Sequence, residues 1–334
     1  MTRLDLSQRF LEACGWGAAE RRFLAGDASD RSYDRLRLGS ETAVLMDAPP
    51  GRGDDPAAFI AIAQHLGALG LSAPRVLAKD LENGFLLLED LGDGIYARLL
   101  ASDPSAETEL YAEAAHTLLH LQNAPLPPGL PDLTAQDWAE AAAFALDWYR
   151  FGITGTRCDT ADFIATLTEA LARHADGPRV LILRDFHAEN LLWLPERTGL
   201  ARVGLLDFQL AQAGQPEYDL VSLLQDARRD VRPEVEAETC ATFRLVSGKS
   251  ETAFAAAYAT LGTQRALRIL GIFARLCLHG GKPGYLHLIP RVWLQLQQNL
   301  SHPALARLAP LCNELLPAPS PERLARIADQ CPTP

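Results

Sequence analysis

No stretch of this 334-residue chain is apolar for the length a bilayer span requires; even Ala266–Leu278 is broken by Arg268 and Arg275. The first ten residues, Met-Thr-Arg-Leu-Asp-Leu-Ser-Gln-Arg-Phe, lack the uninterrupted apolar core of a secretion signal. The six cysteines, at 14, 158, 240, 277, 312 and 331, form no Cys-x-x-Cys and have no histidine nearby at ligand spacing. That argues against a zinc site or a disulfide framework and for reduced, structural thiols. Basic charge is in deficit, with 31 Lys and Arg against 42 Asp and Glu and a formal net charge of −11. A duplex-binding protein gains most of its affinity by neutralising phosphates, so an acidic chain without a basic stripe argues against nucleic acid. Neither a dinucleotide glycine fingerprint nor a Walker-type phosphate loop is present. The expectation is a soluble cytoplasmic protein with no membrane, nucleic-acid or obligate protein partner.

What is present is a globular composition, 48% apolar and 22% charged, on a chain long enough for two lobes or one large domain. Residues 1–92 alternate short strands and helices. Leu6–Cys14 has helical spacing; Arg22–Ala25, Ser32–Leu38 and Thr42–Met46 read as strands, with a tight turn over 26–30. A helix is predicted from Pro56 to Leu69. Val76–Leu81 and Phe85–Leu88 form a hairpin, in which Asn83-Gly84 supplies the positive-φ positions. From Asp93 onward the pattern is helical: 106–122, 134–149, 160–174, 219–229, 233–246, 252–278 in one or two pieces, and 286–300. Only 180–184, 191–194 and 202–206 interrupt it with strand-like runs. Leu88-Glu89-Asp90-Leu91-Gly92 is the natural hinge, giving lobes of 1–91 and 92–334.

Two of the apolar runs each deliver an acid to their end. Leu181–Leu183 leads through Arg184 to Asp185, with Asn190 five positions later, and Val203–Leu206 leads to Asp207-Phe208. Phosphoryl transfer from ATP needs such a set: one carboxylate to receive the acceptor's proton, and an Asn and a second carboxylate to hold Mg²⁺. A loop that turns back on itself explains the spacing, since it aims Asp185 at the hydroxyl and Asn190 at the metal. Alone, Asp-x-x-x-x-Asn is a common turn or cap pattern; the pairing with Asp207, 22 residues on, gives it meaning. His187 lies inside the loop, either satisfied by backbone or orienting Asp185 and the transferring phosphate.

Asp185–Asn190, Asp207 and Pro216-Glu217-Tyr218-Asp219-Leu220 together resemble the aminoglycoside phosphotransferase and choline kinase superfamily. The resemblance implies an α+β, protein-kinase-like fold with a small antiparallel-sheet N-lobe and a larger, mainly helical C-lobe. It also implies ATP and Mg²⁺, with Asp185 and His187 catalytic and Asn190 and Asp207 on the metal. Asp219 would brace the catalytic loop, or alternatively cap the helix that follows; Arg184, which replaces the Gly of the family's His-Gly-Asp, is a structural partner of a nearby acid. Gly26 to Ser29 with Arg31 and Tyr33, Leu45–Pro50, Leu206–Gln209 and Tyr218–Arg229 resemble a bacterial subgroup. That subgroup comprises anomeric kinases of N-acetylmuramate and N-acetylglucosamine in cell-wall recycling.

Only eleven residues separate Asp207 from Asp219, too few for a peptide platform, so the acceptor is a small molecule. The phosphate-covering turn keeps Gly26, with Ala28 and Ser29 small beside it, while Glu89 and Leu91 place the nucleotide base at the hinge. Met46 stands where the third strand should carry Lys, and Ile60 to Gln64 holds no acid to pair with one. Another cation must grip the phosphates, Arg31 or Arg35. For the acceptor, Asp137, Trp148 and His279 offer polar and aromatic groups. The alternatives are an aminoglycoside, choline or homoserine-type kinase, or a catalytically silent ATP-binding module.

Overall fold

A computed structural model describes residues 2–26, 31–51 and 55–332. In chain order the elements begin α1 (Arg3–Ala13), β1 (Glu20–Gly26), β2 (Ser32–Leu38), β3 (Glu41–Asp47), α2 (Pro56–Ala68), β4 (Val76–Asp80) and β5 (Phe85–Glu89). Next come α3 (Tyr96–Ser102), α4 (Glu107–Gln122), α5 (Ala135–Ala142), α6 (Phe151–Thr154), α7 (Ala161–His174), β6 (Val180–Ile182), β7 (Leu191–Trp193) and β8 (Val203–Leu205). β9 (Gln212–Gly214), α8 (Glu217–Leu224), α9 (Pro233–Ser247), α10 (Glu251–Leu278), α11 (Ile289–Leu300), α12 (Leu308–Leu315) and α13 (Pro321–Ala328) complete the chain. The α+β class read from the sequence is what forms. The tight turn expected over 26–30 lies, beyond Gly26, outside the described residues.

The chain divides into two compact units, Met1–Pro127 with Leu183–Ala211, and Pro128–Ile182 with Gln212–Pro334. This division differs from lobes at 1–91 and 92–334, because α3, α4 and the β7–β8 hairpin group with the N-terminal sheet. Backbone hydrogen bonds explain the grouping: Trp193 N to Gly94 O at 2.7 Å, Leu205 N to Ser72 O at 2.8 Å and Ala97 N to Ala188 O at 3.1 Å.

The first unit is built on a five-stranded antiparallel sheet of order β1-β2-β3-β5-β4. Side chains alternate across a strand, so one face of β3 and β5 presents Ala43, Leu45, Phe85 and Leu87. These pack with Leu36 and with Phe10 and Leu11 of α1 into a core. Thr2 and Asp5 close the start of α1 as a reciprocal capping box. The β4–β5 connection departs from expectation, since only Gly84 has positive φ (72°). Asn83 instead donates its amide to Asp80 Oδ2 at 2.8 Å and its backbone N–H to Asp80 Oδ1 at 3.0 Å. Gly84 is also needed for contact, as a Cβ there would lie 1.9 Å from the Ala48 carbonyl oxygen.

The second unit is helical around α10, an unbroken helix of 28 residues, about 42 Å long. Leu261, Leu267, Leu270 and Ala274 of α10 share a core with Trp138, Tyr149, Leu167, Ile289 and Val292. The single helix expected over 134–149 is instead α5 followed by a wider, π-helical turn at Ala145–Arg150. The break occurs where the Phe144 backbone meets Gly271 of α10, at which a Cβ would lie 2.3 Å from the Phe144 carbonyl carbon. Helix α8 starts at Glu217 and stops at Leu224, so Asp219 is a buried residue of its first turn and not its cap. Helices α3, α12 and α13 were not expected from the sequence. Among the described residues no helix is long and apolar enough to cross a membrane.

Candidate active site

The loop after β6 folds as its spacing predicts. Asn190 turns back, donating its side-chain amide to the Asp185 carbonyl at 2.9 Å and its backbone N–H to the His187 carbonyl at 2.8 Å. Phe186, His187 and Ala188 are buried between these ends, which fixes the loop from inside. His187 Nε2 lies 3.5 Å from the Asn190 amide nitrogen, so its ring faces Asn190. Among the described residues the half-buried Asp185 carboxylate makes no hydrogen bond or ion pair, so its oxygens are available to a ligand. Leu206 N donates to Asn190 O at 2.9 Å, setting Asn190 beside the segment that ends in Asp207.

Two non-glycine residues, Arg184 (φ 73°) and Asp207 (φ 55°), adopt left-handed backbone conformations. Such conformations cost energy for residues with a Cβ and cluster at functional sites. Asp207 Oδ1 accepts from Arg31 Nη2 at 3.0 Å and from Gln209 Nε2 at 2.9 Å. Beneath it Phe208 is fully buried and stacks on Phe59 of α2, with ring centroids 4.8 Å apart and planes at 21°. The amide of Gln209 and the ring of Phe59 are partners that sequence reasoning missed. The one available signal for Gln209 was a polar amide where protein kinases carry Gly.

Asn190 and Asp207 line one cavity of about 360 Å³, together with Gly26 and with Glu89, Leu91 and Asp93 at and just beyond the end of β5. Val44 lines it too; by strand alternation the fully buried Met46 is on the same face of β3, opposite Tyr33. Glu89 is tied by its carboxylate to Arg75 at 3.0 Å and Arg197 at 2.9 Å. Arg35 bridges Asp90 at 2.9 Å and Asp93 at 2.8 Å. Burial opposes its charge, but these two acids outweigh that and raise its pKa further. Ala28 and Ser29 lie outside the described residues.

The second unit holds the remaining candidates, and it does not gather them. Asp137 is engaged at the start of α5, where Thr134 donates its hydroxyl at 2.7 Å and its N–H at 2.8 Å. Those bonds, the hydroxyl first, hold the Asp137 carboxyl below the usual carboxylate range. Trp148 and His279 do meet, with ring centroids 6.3 Å apart, and Arg275 lies 5.8 Å above the Trp148 ring. They sit near the C-terminal end of α10, some 15 residues or about 22 Å beyond Gln264. At the level of Gln264, Trp138 packs against Tyr218, the neighbour of Asp219, with ring centroids 4.9 Å apart and planes tilted by 47°. Asp219 itself is fully buried.

Among the described residues no three His, Cys, Asp or Glu side chains gather as a self-sufficient metal centre. Asn190 and Asp207 supply instead one amide oxygen and one carboxylate on a shared cavity wall. Hard oxygen donors of this sparse kind suit Mg²⁺, which keeps waters and substrate phosphates as its other ligands.

A family model described as the phosphotransferase enzyme family matches residues 20–257. The chain belongs to that family. As a phosphotransferase it is 41% identical to the N-acetylmuramate/N-acetylglucosamine kinase of Caulobacter vibrioides over 339 aligned positions, covering 90% of this chain and 93% of that protein. The protein of the same name from Pseudomonas aeruginosa is 34% identical, covering 90% and 91%. In structure it is similar to a choline/ethanolamine kinase family protein from Mesorhizobium loti, with a TM-score of 0.63 at 16% identity, covering 98% and 100% of the two chains. It is also similar to ADP-bound aminoglycoside phosphotransferase APH(2'')-Ib, with a TM-score of 0.60 at 15% identity, covering 91% and 98%. At such identities the structural likeness establishes a shared fold.

Proposed function

We propose that this phosphotransferase moves the γ-phosphoryl group of ATP to the anomeric hydroxyl of N-acetylmuramate or N-acetylglucosamine, in the cytoplasm, as a step of cell-wall recycling. One observation carries the phosphoryl-transfer part. The loop in which Asn190 folds back on Asp185 brings Asn190 beside Asp207 on one cavity wall, while the Asp185 carboxylate keeps its oxygens for a ligand. The acceptor rests on the 41% identity to a kinase of those two sugars, over nearly the whole of both chains.

In this mechanism Asp185 receives or orients the acceptor's proton, and the buried His187 holds the loop against Asn190. Asn190 and Asp207 would hold Mg²⁺, which would supply positive charge to neutralise the nucleotide's phosphates. The base lies against the hinge at Glu89 and Leu91, and Gly26 leaves room for the phosphates. Residues 1–91 then serve as the nucleotide lobe and 92–334 as the catalytic and acceptor lobe, with Asp219 and Arg184 supporting the catalytic loop. An anomeric hydroxyl is more acidic than other sugar hydroxyls, so it asks less of a carboxylate base.

The test is incubation with Mg-ATP and a panel of N-acetyl sugars, aminoglycosides and choline, with products read by phosphorus NMR. An anomeric phosphate on the N-acetyl sugars is expected. Transfer to an aminoglycoside or to choline alone overturns the acceptor assignment, and no transfer to any acceptor leaves a silent nucleotide-binding module. Asp185→Asn is expected to abolish transfer while leaving nucleotide affinity within about threefold, since the exchange is isosteric.

A further inference from the structure

The cavity wall carries more acid than base. Glu89, Asp90, Asp93, Glu189 and Asp207 line it, against the two arginines Arg35 and Arg98. Among the described residues no lysine or histidine joins them: Lys79, Lys249 and Lys282, the chain's three lysines, all stand elsewhere. A nucleotide's phosphates bring several more negative charges. Such a wall needs a cation that no protein carboxylate has already neutralised.

Most of these groups are already paired. Glu89 is held by Arg75 and Arg197, and Asp207 is bonded to Arg31 at 3.0 Å. Arg31 itself does not line the cavity. Arg35 lies between Asp90 at 2.9 Å and Asp93 at 2.8 Å, so two carboxylates offset its single charge. Arg98 differs. Its side chain is exposed and makes no hydrogen bond or ion pair among the described residues. Glu189, exposed on the same wall, makes none either, so the two do not neutralise each other by contact. A cation in the first turn of α3 also opposes the helix dipole, and no acid in that turn compensates it. The stability of α3 therefore does not account for Arg98.

Backbone bonds fix where Arg98 stands. Gly94 O accepts from Trp193 N at 2.7 Å, Ile95 bridges to Leu192, and Ala97 N donates to Ala188 O at 3.1 Å. The start of α3 is thereby joined to the chain on both sides of Asn190. Resting on the nucleotide-binding function proposed above, we propose that Arg98 is the phosphate-binding cation of this cavity. Its guanidinium donates to non-bridging oxygens of the phosphates that lie between the base, at Glu89 and Leu91, and the metal pair Asn190 and Asp207. Chain order supports this placement: α3 begins seven residues after β5 ends, and it is bonded to the loop that carries Asn190. A guanidinium stays charged and presents its donors as a fork, so it can meet two phosphate oxygens at once.

The test compares affinity for ADP and for adenosine, with Mg²⁺ present, by calorimetry. The ratio of the two isolates what the phosphates contribute. Arg98→Ala is expected to lower that ratio roughly three- to thirtyfold, between a screened surface contact and a charged hydrogen bond, with adenosine changed by less than about twofold. Arg98→Glu is expected to lower it further, and Arg98→Lys, which keeps the charge without the fork, to lower it less than Arg98→Ala. Raising the ionic strength from about 0.05 M to 0.5 M should reduce the wild-type ratio more than that of Arg98→Ala, since salt screens an exposed pair. Each variant should melt within about 2 °C of wild type; a ratio that falls only in step with the melting temperature makes Arg98 structural. A ratio that survives in both Arg98→Ala and Arg98→Glu, or collapses only in Arg35→Ala, removes the assignment and leaves the kinase function standing. So does an intact ratio with turnover lost for N-acetylmuramate alone, which gives the guanidinium to the carboxylate that N-acetylglucosamine lacks. A wild-type protein that does not distinguish ADP from adenosine removes both.

Discussion

Replacing Gln209 by Glu tests the geometry around Asp207 with almost no change of shape. The amide nitrogen of Gln209 donates to Asp207 Oδ1 at 2.9 Å. A carboxylate in its place sets two negative charges about 3 Å apart, a repulsion of about 6 kcal/mol at an effective dielectric near 20. Arg31, bonded to the same Asp207 oxygen, offsets roughly half, so a net destabilisation of about 3 kcal/mol is expected at neutral pH. The introduced carboxyl therefore has its pKa raised in the folded state. Its penalty is absent below the unfolded value of about 4.3 and grows as pH rises through the folded value. Thermal melting from about pH 4.5 to pH 8 should show the variant near wild type at the acid end and about 6–12 °C below it at the alkaline end. Gln209→Ala, which removes the donor without adding charge, should lose about 1–2 kcal/mol with little pH dependence. A constant gap between Gln209→Glu and wild type across that range would refute the contact.

Three further outcomes follow from packing and burial. Phe59→Ala empties a buried ring site and its stack on Phe208, and is expected to cost about 3–5 kcal/mol by denaturant unfolding and to weaken catalysis by loosening Asp207; unchanged stability would show that the two rings do not support one another. Gly271→Ala drives a Cβ to 2.3 Å from the Phe144 backbone and should cost about 1–3 kcal/mol or more, with an unchanged melting temperature counting against the close approach. Asp226 is buried in the second unit, and burial raises its pKa against the opposing pull of the Arg228 N–H and nearby arginines. Because the folded state holds that proton more tightly, wild-type stability should fall as pH rises above the unfolded value. Asp226→Asn should gain about 1–2 kcal/mol over wild type at neutral pH and lose that advantage in acid; an advantage that is flat with pH would contradict the burial cost.

The elements with strong periodicity were legible in the sequence: β2, the β4–β5 hairpin, α2 and the long α10. What escaped is set by contacts distant in sequence. The break between α5 and the π-helical turn depends on Gly271, more than a hundred residues away, and helical spacing over 134–149 carries no trace of it. The positive φ of Asp207 and Arg184 is imposed by the tertiary frame, since neither residue type favours it as glycine does. Within the candidate site, Asp185, Asn190 and Asp207 could be found from local spacing. The bond from Arg31 to Asp207 spans 176 positions and could only be guessed as one of two arginines. Short helices such as α3 and α13, the latter only eight residues from Pro321 to Ala328, have too few turns to show a period.

The grouping of Leu183–Ala211 with the N-terminal sheet also constrains how the protein can be made. On a ribosome the first 127 residues emerge well before the segment that completes their unit. At roughly 5–20 residues per second, the 84 residues from 127 to 211 take about 4–17 s to synthesise. Through that interval the backbone groups of Ser72 and Gly94 wait for Leu205 and Trp193, and Phe59 waits for Phe208. Through that window the nascent first unit keeps apolar surface exposed, and its core closes only when Leu183–Ala211 arrives.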